Sequence, residues 1–172
     1  YFLMKFLRFL FLIFFILFSQ NVFAENKIVF IDIDFLMKNS NIGKLSLKKL
    51  EELNNKNVNL LKGNEKELKE KEKTLLQKKN IISKEEFENE IKTLKTQINE
   101  FKNNKDNMVK DFNTLKVKEL NTVLEKFNKK IQEYMSQNSI DIVLNKNNIF
   151  IGKVTSDITN DILIEINKEF EG

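Results

Sequence analysis

The sequence has 172 residues, of which 29 are basic and 25 acidic, for a formal net charge of +4, and it contains no Cys, His, Trp or Pro. Without Cys there is no disulfide, no thiolate nucleophile and no lipid-modified Cys, and without His the chain lacks a usual zinc ligand and the commonest general base. Only four Gly and no Pro, beside 31% charged residues, point to long helices with solvated faces.

The first 24 residues stand apart. Lys5 and Arg8 give a basic start, Phe9 to Phe18 is an unbroken apolar run, and Val22-Phe23-Ala24 offers small or aliphatic residues where a signal peptidase reads. The layout predicts a secretory signal over residues 1–24, starting effectively at Met4 and cleaved after Ala24. The run is shorter than the ~20 residues of a membrane span; an uncleaved anchor is the alternative. The segment takes two of the 29 basic residues and no acidic one, so residues 25–172 carry +2.

Residues 27–32 (Lys-Ile-Val-Phe-Ile-Asp) read as a short strand buried on both faces. Asp34 is a candidate cap for a brief helix over Phe35-Leu36-Met37, and Gly43 marks the next boundary. From residue 44 to about residue 80 the pattern is helical. Leu47, Leu61, Leu68, Leu75 and Ile82 share one heptad position, while its partner position runs Leu50, Asn57, Asn64, Lys71, Lys78. Leu53, Val58 and Leu60 widen the stripe near its start, so the helix has a firm root and a thin seam further out. Gly63 sits mid-helix, where it costs about 1 kcal/mol against Ala and permits bending.

Ser83-Lys84-Glu85-Glu86 is a capping box, with Ile82 placed to staple against Phe87. It opens a helix over residues 84–137, roughly 80 Å long at ~1.5 Å per residue. Phe87, Ile91, Leu94, Ile98, Phe101, Met108, Phe112 and Leu115 form its seam, with Lys105 as one polar interruption, before the phase rotates to Leu120, Val123, Phe127 and Ile131. Two such helices make an antiparallel hairpin. Residues 140–144 and 149–151 then read as two short strands joined by a turn-rich link, and a helix runs from Ser156 to near Phe170.

The expected fold is therefore α+β and mostly helical. Residues 25–43 and 139–172 make a small β body with three short strands per chain, and residues 44–138 form a coiled-coil hairpin arm with its tip near 81–84. So small a core calls for completion by oligomerisation.

With these elements in place, the sequence resembles the Skp/OmpH family of periplasmic chaperones. The resemblance rests on Ile28-Val29-Phe30-Ile31-Asp32 with Phe35-Leu36-Met37 at the start, and on Ile140 to Asn145, Ile149-Phe150-Ile151, Asp157-Ile158-Thr159 and Ile162-Leu163 at the end. It implies a homotrimer whose strands build a central body containing Ile28, Phe30, Ile142, Leu144 and Phe150. It also implies helical arms around a cavity that holds unfolded outer-membrane β-barrel proteins in the periplasm without ATP. Ser139 departs from the Gly that commonly precedes the second strand.

Charge is uneven along the chain. Residues 44–84 hold twelve Lys and six acidic residues, residues 85–138 hold ten of each, and the remainder holds five Lys and nine acidic residues. The outgoing helix thus carries the positive field, suited to acidic clients, lipopolysaccharide or another anionic lipid, unless it is merely a solvated face. Lys62, Lys66, Lys69, Lys73, Lys78 and Lys79, with Leu68, Leu75 and Leu76, are the candidate contacts. Phe87, Phe101 and Phe112 read as seam packing.

Asp32 and Asp34 are two apart on a strand, yet without a nearby His, Cys or Gly-rich loop they read as a strand end and a cap. Asp157 and Thr159 read as a helix start, and Ser83 as a cap with no base beside it. No phosphate loop occurs. The expectation is a non-enzyme without catalytic residue, cofactor or metal, holding clients; a coiled-coil adaptor of the cell envelope is the alternative. Export and the near-balanced charge argue against nucleic acid as a partner.

Overall fold

The computed structural model describes residues 26–170; the predicted signal lies outside them. β1 (Ile28–Ile31) pairs in parallel with β2 (Ile142–Asn145), with Ile28 opposite Ile142 and Ile31 opposite Asn145. Between them run α1 (Ile33–Asn39), α2 (Asn41–Lys78) and α3 (Lys84–Gln137), and α4 (Thr159–Glu169) closes the chain.

Short polar side chains punctuate the helices. Asp32, rather than Asp34, caps α1 by accepting the Phe35 N–H at 2.8 Å, because the strand ends one residue before the helix begins. Ser40 ends α1 and caps α2 through the Gly43 N–H at 3.1 Å. Gly43 is therefore no boundary: it lies in the first turn of α2. A Cβ there would sit 2.1 Å from the Met37 carbonyl oxygen, so the backbone crossing of α1 over α2 requires Gly. Ser83 caps α3 by accepting the Glu86 N–H at 3.2 Å, as the capping box predicts.

The core gathers Val29 and Ile31 of β1, Leu36 of α1, Val123, Phe127 and Ile131 of α3, Ile140, and Ile158, Ile162 and Ile166 around α4. The arm joins it through the rotated face of α3. α3 ends in a left-handed turn: Ile140 donates its N–H to the Met135 carbonyl at 3.0 Å while Ser139 takes φ 51°. Ile140 is consumed in that closure, so β2 starts at Ile142, two residues later than the pattern suggested.

The expected third strand is absent among the described residues. Residues 149–153 connect two 3₁₀ turns, Lys146–Asn148 and Val154–Ser156. A strand needs an edge to pair with, and the far edge of β1 is taken by Asp157 and Ile158: Phe30 bridges Asp157, and its carbonyl accepts the Ile158 N–H at 3.0 Å. Ser156 ends the second 3₁₀ turn and Asp157 and Ile158 serve that bridge, which is why α4 begins only at Thr159. Gly152 lies against Phe30, where a Cβ would be 2.8 Å from Cε1 of the ring, while Phe150, Ile151 and Val154 stand exposed. The architecture remains the mostly helical α+β body and arm, with two strands per chain in place of three.

Candidate functional site

The arm is built from two helices held in one antiparallel register. Lys49 bonds Glu119 at 2.8 Å near the root, Lys71 reaches Gln97 at 3.4 Å, and Lys78 bonds Glu90 at 3.1 Å near the tip. Between these cross-links the apolar seam is thin. Leu50 is buried, as are Val123 and Phe127 opposite the root, but further out Leu61, Leu68, Phe87, Ile91, Leu94, Ile98 and Phe101 are only half-buried. Two helices cannot enclose a seam from all sides, so these half-buried residues keep an open flank. Lys105 is exposed where the seam pattern is interrupted.

Open grooves result. One near the tip, of about 840 Å³, has Leu75 and Leu94 in its lining and a rim that includes Glu70, Glu85, Glu86, Lys71 and Lys78. Another, further in, is lined by Leu61, Leu68, Ile98 and Phe101 with Lys69, Lys102 and Lys105.

The predicted contact residues separate into two groups. Lys62, Lys66, Lys69 and Lys73 follow one another at steps of four and three, and Leu76 comes three further on, so they form one stripe along α2. Lys62, Lys66, Lys73 and Lys79 are exposed. Lys69 is exposed but bonded to Glu65 at 2.8 Å; that contact raises the Lys69 pKa and lowers that of Glu65. Lys78 is half-buried and committed to Glu90. Leu76 is 62% exposed, whereas Leu75 is only 7% exposed. Leu75 therefore leaves the set of surface contacts: its heptad position turns it into the seam, where it packs the hairpin. Leu68 is half-buried.

The sequence reading missed other exposed apolar groups of the arm. These are Val109 and Val117, which stand off the α3 seam. Their signal was their failure to fit the heptads.

In the body, Ile28, Ile142 and Leu144 are exposed on the sheet, Phe150 is fully exposed, and Phe30 is buried within the chain. Asp34 accepts from Asn147 Nδ2 at 3.2 Å. Asp157 accepts the Thr159 N–H at 3.0 Å and the Thr159 hydroxyl, and its other oxygen bonds Lys146 at 3.0 Å. Burial pushes the Asp157 carboxyl up, but the Thr159 bonds and Lys146 outweigh it and hold it below the usual carboxylate range. Among the described residues no cluster of acidic side chains is placed to hold a metal, and no helix is long and apolar enough to cross a membrane.

A small parallel β body bearing a two-helix arm of this length defines a class of hairpin-armed α+β proteins. Residues 27–166 match the model of the family described as outer membrane protein (OmpH-like), and the chain belongs to that family. A crystal structure from Caulobacter crescentus CB15, described as a candidate outer membrane chaperone (OmpH-like), superposes with a TM-score of 0.79 at 19% identity, covering 86% of this chain and 88% of that one. At that identity the likeness concerns the fold. No curated protein matches the chain.

Proposed function

We propose that this protein is an ATP-independent holding chaperone of the periplasm, which shields unfolded outer-membrane β-barrel proteins between the helical arms of a homo-oligomer, a trimer. The observation that carries the reading, beside family membership, is the composition of the arm surface. Half-exposed seam residues mark one face of the hairpin, and uncommitted Lys62, Lys66 and Lys73 with the outward Leu76 mark a neighbouring face of α2. Such a surface offers many weak, exchangeable contacts and no deep pocket that would fix one ligand. The same lysines suit acidic clients, and lipopolysaccharide or another anionic lipid as a further partner.

Oligomerisation is supported by Phe150, Ile151 and Val154, large apolar groups left in water, and by the edge of β2 that faces away from β1 and pairs with no strand among the described residues. No enzyme chemistry, cofactor or nucleic-acid partner belongs to this reading. A second reading keeps one observation in its favour: Ile81 and Leu76 make the arm tip apolar, which suits an adaptor gripping a folded partner. Dilution of a urea-unfolded outer-membrane barrel protein separates the two. A holdase keeps it soluble at stoichiometric amounts without ATP, and an adaptor lets it aggregate.

A further inference from the structure

At the root of the arm lies a groove that the client-holding surface does not use. The first turns of α2, the later part of α3 and the end of α4 surround about 790 Å³ there. Ile42, Leu45, Val123 and Phe170 supply an apolar lining. Lys44, Lys48, Lys49 and Lys126 line it too, against Glu119 and Glu169. Two of these cations are already paired, Lys49 with Glu119 at 2.8 Å and Lys48 with Glu52 at 3.9 Å. Lys44 and Lys126 form no ion pair among the described residues, and Lys126 stands 4.8 Å over the Phe170 ring. The lining also includes Ser46, only 3% exposed, whose hydroxyl has no hydrogen-bond partner. A buried hydroxyl without a partner is costly and asks for one.

We propose that this groove binds a single-chain anionic amphiphile. Lys44 and Lys126 hold its head group, the apolar residues take its tail, and the Ser46 hydroxyl finds its missing partner on a ligand oxygen. An extended peptide fits less well. It would carry a row of backbone N–H and C=O groups past the apolar Ile42, Leu45, Val123 and Phe170, which offer them no partner, and each unmet group costs free energy. An alkyl chain brings no such groups. The proposal stands apart from client holding, since none of these residues lies on the Lys62 to Leu76 stripe.

The test is calorimetric titration of the full chain with dodecyl phosphate below its micelle-forming concentration. Laurate, dodecyl maltoside, inorganic phosphate and a short peptide ending in Phe are parallel arms. Dodecyl phosphate or laurate, or both, saturate one site per chain, and their relative affinities tell a phosphorylated source from a carboxylate one. The neutral maltoside binds about tenfold more weakly, and phosphate alone does not bind. Lys44→Gln with Lys126→Gln lowers amphiphile affinity about tenfold. Ser46→Ala lowers it too, yet unfolds at no lower temperature than the parent, which separates ligation from a structural role. Lys95→Gln with Lys110→Gln, exposed on α3 outside both the groove and the lysine stripe, leaves amphiphile affinity unchanged. Equal uptake of the maltoside, unchanged affinity in the Ser46 and lysine variants, or tighter binding of the peptide overturns the proposal.

Discussion

The Ile140 N–H meets the Met135 carbonyl at 3.0 Å, and the turn that brings them together forces Ser139 to φ 51°. A side chain in the left-handed region costs roughly 1–2 kcal/mol, which Gly escapes, although Gly also gives the unfolded chain more freedom. Ser139→Gly therefore raises stability by about 0.5–1 kcal/mol, read as a higher urea midpoint with unchanged slope. A lower midpoint would mean that Ser139 makes a compensating contact.

The two helical glycines of the arm answer Ala substitution oppositely. A Cβ at Gly63 meets nothing within 4 Å, whereas at Gly43 it meets the Met37 carbonyl oxygen at 2.1 Å. Gly63→Ala gains up to about 1 kcal/mol of helix propensity and stiffens the arm. Gly43→Ala pushes α1 off α2 and lowers thermal stability. Far-ultraviolet melting of both variants checks the pair.

How much of this was legible in the sequence depends on how local the cause is. Ser83 capping α3 and the 87–115 seam follow from residues three and four apart, so the hairpin and its tip could be read directly. Residues 149–151 look like a strand because Ile-Phe-Ile has the propensity for one, but pairing is non-local and Asp157-Ile158 already occupy the β1 edge. Gly43 looked like a stop because its reason, the Met37 carbonyl, lies on another helix. The lysine stripe was legible from its spacing. Leu75 was misassigned to the surface although its heptad phase pointed inward, and nothing in the sequence marks Ser46 as an unpartnered hydroxyl.

Adjacent leucines near the tip separate packing from contact. Leu75→Ala removes a buried seam residue and costs about 2 kcal/mol or more if the arm melts with the body; hydrogen exchange locates the loss at the tip. Leu76→Ala leaves stability within about 0.5 kcal/mol but weakens suppression of client aggregation. The reverse pattern would place the client surface on the other side of α2.

Asp157 sets an acid limit. Its folded pKa lies below the ordinary carboxylate value of about 3.9, so its contribution is complete above that value and is lost as pH falls through the lowered one. Asp157→Asn should be less stable at neutral pH and lose less of its stability on acidification below the ordinary carboxylate value. Chemical denaturation at a series of pH values reads both limbs; parallel curves for parent and variant would assign the acid sensitivity to other groups.

The central claim is an oligomer that holds unfolded clients, and light scattering coupled to size exclusion tests it most directly. The parent chain is run alone and with a diluted, urea-unfolded outer-membrane barrel protein, beside a Phe150→Asp variant. The account predicts the mass of three chains for the parent, a soluble complex heavier by the client, and a smaller assembly that holds less client for the variant. A parent that elutes as a stable monomer while the client precipitates would contradict the account.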